Sequence, residues 1–183
     1  MRKEIEVKVK ISNIEKIKQK LLELGCVFSE PIIQDDITFV DLDYGPYDEF
    51  QSGKNILRIR KNNNKYLFTL KQPQKNELDV IERETEISDP DEFMEALFLM
   101  GYRKAVEIHK TRVKTKYNDY EICLDEVEGL GSFIEVEKIT DDVDGEEIQK
   151  QLFEFLIGLE VDPNDRILNG YDTLIYLKQK YNE

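Results

Sequence analysis

Tryptophan is absent from the 183 residues, histidine occurs once, at position 109, and cysteine twice, at 26 and 123. Cys26 and Cys123 sit in no metal-ligand or redox spacing, which excludes a zinc-finger or Cys-x-x-Cys reading and leaves two buried or half-buried thiols in a reducing compartment. His109 lies in a strand-like stretch; it titrates in the physiological range but has no partner motif, so it reads as structural. No apolar run approaches the roughly 20 residues of a membrane span. The charged opening residues do not resemble a secretory leader, so a cytoplasmic address is expected. Positive charge is in the minority, 26 Lys and Arg against 39 Asp and Glu, for a net charge of −13. That balance argues against duplex nucleic acid as a main partner, because such binding depends on neutralising phosphates. Low-complexity segments and linkers are also missing, so residues 1–183 are expected to form one domain with a sizeable core.

What is present is alternation. Glu4-Ile5-Glu6-Val7-Lys8-Val9-Lys10-Ile11 switches between charged and β-branched residues without a break, placing Glu4, Glu6, Lys8 and Lys10 on one face of a strand. Ser12 and Glu15 form a capping-box pattern for a helix over 14–24, closed by Gly25. A second strand is expected around 36–41, then a loop marked by Tyr44-Gly45-Pro46-Tyr47 and Ser52-Gly53. Residues 56–60 and 66–71 alternate on either side of Asn62-Asn63-Asn64 and read as a hairpin. A strand over 80–87 leads to Asp89-Pro90, the cap and first position of a helix ending at Gly101. Strands follow at 105–117, 120–125 and 133–139, then a helix over 146–157 capped by Asp144 and a last helix over 171–180.

Most of these strands carry a charged face of mixed sign. The acidic set is Glu4, Glu6, Glu82, Glu84, Glu86, Asp125, Glu135 and Glu137, and the basic set is Lys8, Arg58, Arg60, Lys71, Lys110 and Arg112. The opposite faces are Val, Ile, Leu and Phe, and the helices supply matching apolar stripes. An antiparallel sheet must have its apolar face covered. If helices cover it from outside, the sheet curls with its charged face inward and encloses a wet lumen. Clustered Lys and Arg suit a polyanion and clustered carboxylates suit a hard divalent cation, so the two together describe a metal–polyphosphate site. The competing reading is a sheet protein whose charges are only solvated.

Several segments resemble the CYTH superfamily, which includes class IV adenylyl cyclases of the CyaB type, thiamine triphosphatases and inorganic triphosphatases. Glu4-Ile5-Glu6-Val7-Lys8 is similar to its opening Glu-x-Glu-x-Lys signature, and Leu57-Arg58-Ile59-Arg60 to its basic strand. Leu70-Lys71-Gln72-Pro73, Arg83-Glu84-Thr85-Glu86 and Lys110-Thr111-Arg112 follow in the family's order. Leu124-Asp125, with Gly129-Leu130-Gly131-Ser132-Phe133-Ile134-Glu135-Val136-Glu137, resembles its metal-holding segment. The resemblance implies an α+β fold, an eight-stranded antiparallel β-barrel (a triphosphate tunnel) with helices packed on the outside.

By the same resemblance Lys8, Arg58, Arg60, Lys71, Lys110 and Arg112 would hold a triphosphate. Glu4, Glu6, Glu84, Glu86, Asp125, Glu135 and Glu137 would hold Mg²⁺ or Mn²⁺, with Glu4, Glu6, Asp125 and Glu135 as the catalytic set. The implied partner is a small-molecule triphosphate (ATP, tripolyphosphate or thiamine triphosphate), with no nucleic acid and no membrane. External helices are compatible with a homodimer. Attack by a ribose 3′-hydroxyl would make cyclic AMP and pyrophosphate, and attack by water would make the enzyme a triphosphatase. A non-catalytic nucleotide or polyphosphate sensor is the third reading. Gly170-Tyr171 departs from the family's Ser-Tyr pair, and residues 32–55 match loosely.

Overall fold

The alternation of the first strand organises the whole architecture. The structure, a computed structural model, describes residues 2–141 and 144–181. In β1 (Arg2–Lys10), Ile5, Val7 and Val9 are fully buried in one cluster with Ile17 and Leu21 of α1 (Ile14–Glu23) and Leu152 and Leu156 of α3 (Gly145–Gly158). Burying each such side chain is worth about 1.5–3 kcal/mol. The two helices therefore fix which face of β1 turns away from the lumen.

The remaining strands are β2 (Ile32–Asp41), β3 (Ile56–Asn62), β4 (Lys65–Pro73), β5 (Asp79–Ile87), β6 (Tyr102–Tyr117), β7 (Tyr120–Val127), β8 (Gly131–Asp141) and the two-residue β9 (Arg166–Ile167). The other helices are α2 (Pro90–Leu99) and α4 (Tyr171–Tyr181). The sheet runs β5-β4-β3-β2-β6-β7-β8-β1, every pair is antiparallel, and β5 pairs again with β1 to close a barrel of eight strands. The closing seam is short. Only Glu4 opposite Val80 and Ile5 opposite Asp79 are in register there, and β9 takes the rest of that edge at Lys8 and Val9. A second apolar cluster packs α2 through Leu97 onto Phe39, Leu57 and Ile59, and a third packs α4 through Ile175 near Val106 and Ile108.

The expected helices and hairpins are present, with three local differences. The first helix is capped by Asn13, whose side chain accepts from Lys16 N, rather than by Ser12. The ladder continues one residue further than the alternation requires, with Ile11 N donating to Ser132 O, and this moves the cap on by one. β2 begins at Ile32 rather than near 36, because it is paired on both sides from Gln34 onward and Gln34 and Asp36 are buried polar residues that mimic a loop in sequence. β9 and the 3₁₀ turn Pro163–Asp165 are too short to leave a periodic signal. Asn63, at the hairpin tip, takes φ 52°, the left-handed backbone that Asn tolerates.

The α2 cap gives a direct test of these local rules. Asp89 accepts from Glu92 N at 3.1 Å and Pro90 occupies the first turn. Asp89→Ala is expected to lower stability by about 1 kcal/mol, read as a shifted denaturation midpoint with unchanged slope.

Candidate active site

The inward faces of the strands line one tunnel of about 770 Å³. Glu4, Glu6 and Lys8 enter it from β1, Arg58 and Arg60 from β3, Lys71 from β4, Glu84 from β5, Lys110 and Arg112 from β6, and Glu135 and Glu137 from β8. All six basic residues proposed from sequence thus face a single cavity. Asp125 does not line it; it lies fully buried behind Arg112.

Two buried ion-pair systems hold the basic residues in place. On β6, Arg112 donates Nε to Asp125 Oδ1 at 2.7 Å and Nη2 to both Asp125 Oδ2 and Glu135 Oε2, while Lys110 approaches Asp125 at 3.4 Å. Lys8 bridges Glu135 and Glu6, each at 3.2 Å. On the facing wall Arg60 makes a bidentate pair with Asp36 at 2.6 and 2.7 Å. Lys71 contacts Glu82 at 2.7 Å and Glu4 at 3.4 Å, and Arg58 donates to Thr69 Oγ1 at 3.0 Å. Such pairs satisfy charges that burial would otherwise make costly.

The titration behaviour divides the carboxylates into two groups. For Glu135 burial acts to raise the pKa, but Arg112 and Lys8 overcome it and hold the carboxyl well below the usual range. Asp36 and Asp125 are likewise held down, against burial, by Arg60 and Arg112 respectively, and Glu82 is held at about 2, also against burial, by Lys71 and Arg58. Glu6 behaves oppositely: burial, then the Glu135 charge, pushes it up to about 7. Burial and the neighbouring Glu4 push Glu137 well above the ordinary range. Lys110 is pressed down to about 8 by burial and by Arg112.

That second group marks where a cation fits. Glu4, Glu6 and Glu137 bring carboxylate oxygens within 4.8 Å of one another. Glu6 Oε1 is buried and, although Lys8 Nζ stands 3.2 Å away, it accepts no well-aligned hydrogen bond. An all-oxygen cluster of crowded, under-neutralised carboxylates is the donor set of a hard divalent ion.

Two of the residues proposed from sequence stand elsewhere. Glu86 has the right strand parity but lies beyond the tunnel, exposed and paired with Lys65 at 3.2 Å. Its place is taken by Glu82, one strand repeat inward of Glu84, which lines the cavity. The difference is one of register along β5: parity tells which face a residue takes, not how far the lumen extends. Asp125 is buried behind the wall, and both it and Glu135 are occupied by cations rather than open. His109 is on the outer surface, 2.8 Å from Asp35, and takes no part in the tunnel.

Sequence reasoning also missed Asp36 and Glu121 as tunnel residues, and gave Tyr171 no contact with the basic set. Tyr171 is buried, with its ring 4.0 Å beneath Lys8 Nζ and 4.7 Å beneath Lys110 Nζ. Glu77 fastens the segment before it, accepting from Gly170 N at 2.7 Å and Asn169 Nδ2 at 3.1 Å, and Asp172 accepts from Tyr47 OH at 2.6 Å. A Cβ on Gly170 would stand 2.3 Å from Asp172 Oδ1, so a larger residue there requires the Asp172 carboxylate to shift.

A closed antiparallel tunnel, charged within and clad in helices, defines a class of small-molecule site built for an anion and a cation together. The CYTH domain model matches residues 2–171, and the chain belongs to the CYTH domain family. A protein of Methanocaldococcus jannaschii named "Putative adenylate cyclase" is 30% identical over 171 residues, covering 92% of this chain and 95% of that one. A solved structure from Pyrococcus horikoshii is 30% identical, with a TM-score of 0.77 over 92% of this chain and 97% of that one. A Hippeastrum protein named as a putative adenylyl cyclase that "reveals a dominant" triphosphatase activity shares the fold at 18% identity and a TM-score of 0.59, covering 93% of this chain and 91% of that one.

Proposed function

We propose that the chain is a divalent-metal-dependent enzyme acting on a triphosphate inside the tunnel, as a class IV adenylyl cyclase that converts ATP to cyclic AMP and pyrophosphate. The observation that carries this reading is the convergence of Lys8, Arg58, Arg60, Lys71, Lys110 and Arg112 on one cavity that also holds the carboxylate cluster Glu4, Glu6 and Glu137. Those three carboxylates would hold Mg²⁺ or Mn²⁺, which would supply neutralisation of phosphate charge and activation of the nucleophile. The protein's own part is positioning. Arg58 and Lys71, on the open side of the tunnel, exchange carboxylate partners for phosphate oxygens. Arg112 and Arg60 are kept rigid by Asp125 and Asp36, so their remaining N–H groups face the substrate already oriented. Glu135 ties Lys8 to Arg112 and keeps the phosphate-binding cations at fixed spacing. Glu84 stands at the Arg58 end, 3.6 Å from its guanidinium, and is a less exact match for a metal ligand.

Hydrolysis is the second reading. The same residues serve a water nucleophile, and the Hippeastrum neighbour's named activity favours it. A cavity of about 770 Å³ is large enough to enclose a nucleotide as well as tripolyphosphate.

Incubation with ATP, tripolyphosphate and thiamine triphosphate, each with Mg²⁺ or Mn²⁺, separates these. Cyclic AMP with pyrophosphate is expected; orthophosphate alone would remove the cyclase reading, and metal-dependent binding without turnover would leave a sensor. Lys110→Ala is expected to raise KM for the triphosphate by about tenfold or more, and Glu137→Gln to raise the metal concentration for half-activity by a similar factor. Equal effects of both variants on both quantities would overturn this division.

A further inference from the structure

One donor that the triphosphate reading does not use lies beneath the tunnel wall. Cys123 is fully buried on β7, with its side chain on the inward face between Glu121 and Asp125, and its thiol has no hydrogen-bond partner among the described residues. Directly across the β7–β8 ladder, Glu121 faces Glu137 and Cys123 faces Glu135. One ligand atom each from Glu121, Cys123 and Glu137 lie within 4.8 Å of one another. That spacing is compatible with a single ion, given metal–sulfur and metal–oxygen bonds of about 2.3 and 2.0–2.2 Å.

This trio overlaps the first one. Glu137 belongs to both, with Glu4 and Glu6 on one side and Glu121 and Cys123 on the other. The donors differ in kind. The first set is all carboxylate and suits Mg²⁺ or Mn²⁺; the second contains a sulfur, which selects softer ions. Charges of both signs surround the thiol, and burial keeps its proton on, so an incoming cation must displace that proton. The carboxylates Glu137, Glu135 and Asp125 stand around the thiol, and the nearby Arg112 already has two anionic partners. The competitor for Glu121 is Lys114, a half-exposed side chain free to turn to solvent.

We propose that Glu121, Cys123 and Glu137 form a second metal site at the tunnel wall, which takes a soft or borderline divalent ion of the Zn²⁺ class and shares Glu137 with the Mg²⁺ or Mn²⁺ site. Binding replaces the thiol proton, which leaves to solvent, by a metal–sulfur bond; no oxidation is involved. The shared carboxylate makes the two ions compete, so a soft ion in this site displaces the hard one. The proposal rests on the hard-metal site only through Glu137.

Cd²⁺ titration of the metal-free protein tests it, followed by the ultraviolet thiolate-to-Cd²⁺ charge-transfer band. The wild type and Cys26→Ser are expected to show the band at one equivalent, and Cys123→Ser to lack it while keeping the wild-type circular dichroism spectrum. Cys26 is the internal control: it is buried in the apolar cluster under α1 and α3. Glu121→Gln is expected to keep the band but weaken Cd²⁺ binding by about tenfold, and excess Mg²⁺ to weaken it in the wild type. No band in the wild type, or a band lost in Cys26→Ser, would overturn the site. Unchanged affinity in Glu121→Gln would overturn the ligand set, and indifference to Mg²⁺ would overturn the sharing. The band reports occupancy without turnover, so a protein inactive on every triphosphate still gives a decisive result.

Discussion

Arg112→Ala should abolish triphosphate turnover and also unfold the protein at a markedly lower temperature. Arg112 carries both effects because its guanidinium is the only bidentate partner of Asp125 among the described residues and also meets Glu135. Asp125 is 0% exposed and Glu135 only 4%, and without the arginine each keeps a single lysine, Lys110 at 3.4 Å and Lys8 at 3.2 Å. Breaking a buried pair by removing one partner costs about 3–5 kcal/mol. At roughly 2–4 °C per kcal/mol for a chain of this size, the melting temperature should fall by about 10 °C or more.

Two controls separate folding from function. Arg112→Lys keeps a charge but loses the bidentate fork, so it should recover part of the stability and little of the activity. Pairing Arg112→Met with Asp125→Leu removes the ion pair from both sides, and should be more stable than Arg112→Ala while remaining inactive. A melting temperature for Arg112→Ala within 1–2 °C of the wild type would show that water reaches Asp125, and that the pair is not a buried clamp.

The tunnel residues differ in how plainly the amino-acid pattern announces them. Strand parity is legible wherever one face is apolar, as in Ile5-Glu6-Val7-Lys8-Val9, because helices outside and charges inside leave a period-two record. β6 and β8 are legible for the same reason. Asp36 and Gln34 are not, because β2 puts polar residues at tunnel positions in a segment with loop-like neighbours. Glu86 is misplaced by parity alone because the lumen's length depends on how neighbouring strands stagger, which no single strand encodes. The role of Tyr171, at the correctly expected start of α4, is hidden more deeply. Tyr171 reaches Lys8 and Lys110 across more than 60 residues of sequence separation in each case, and its phenol looks like ordinary core. The seam leaves no local trace either, since β1 meets β5 over two register pairs and gives the remaining edge to β9.

Without divalent metal, stability should fall as pH rises from about 4.5 to 7, the reverse of ordinary acid denaturation. The cause lies in Glu6, pushed by burial and by Glu135 from 4.5 up to about 7, and in Glu137, raised by burial and by Glu4. A carboxyl whose folded pKa exceeds its unfolded value binds more protons when folded, and its contribution is complete below the unfolded value and lost as pH climbs through the folded one. For Glu6 the shift corresponds to something on the order of 3 kcal/mol. The carboxylates paired with arginine and lysine act in the other direction in a separate window. Asp36, Glu82, Asp125 and Glu135 are all lowered, so their contribution is present above the ordinary carboxylate range and is lost only as pH falls below it. The metal-free protein should therefore be most stable at about pH 4.5–5.

Mg²⁺ or Mn²⁺ should erase the upper slope. The ion takes the place of the protons on Glu6 and Glu137, so its binding is strongest where those protons are already gone. At about 100 times Kd it should stabilise by about 2.7 kcal/mol at pH 8, and by much less at pH 5, where it must displace them. Denaturation midpoints from pH 4 to 8, with chelator and with metal, test both halves. Glu6→Gln should flatten the metal-free slope and reduce the metal's effect. A metal-free midpoint that is level from pH 5 to 8, or a metal gain equal at both ends, would mean that Glu6 and Glu137 carry no displaceable protons, and that the cation is held elsewhere in the tunnel.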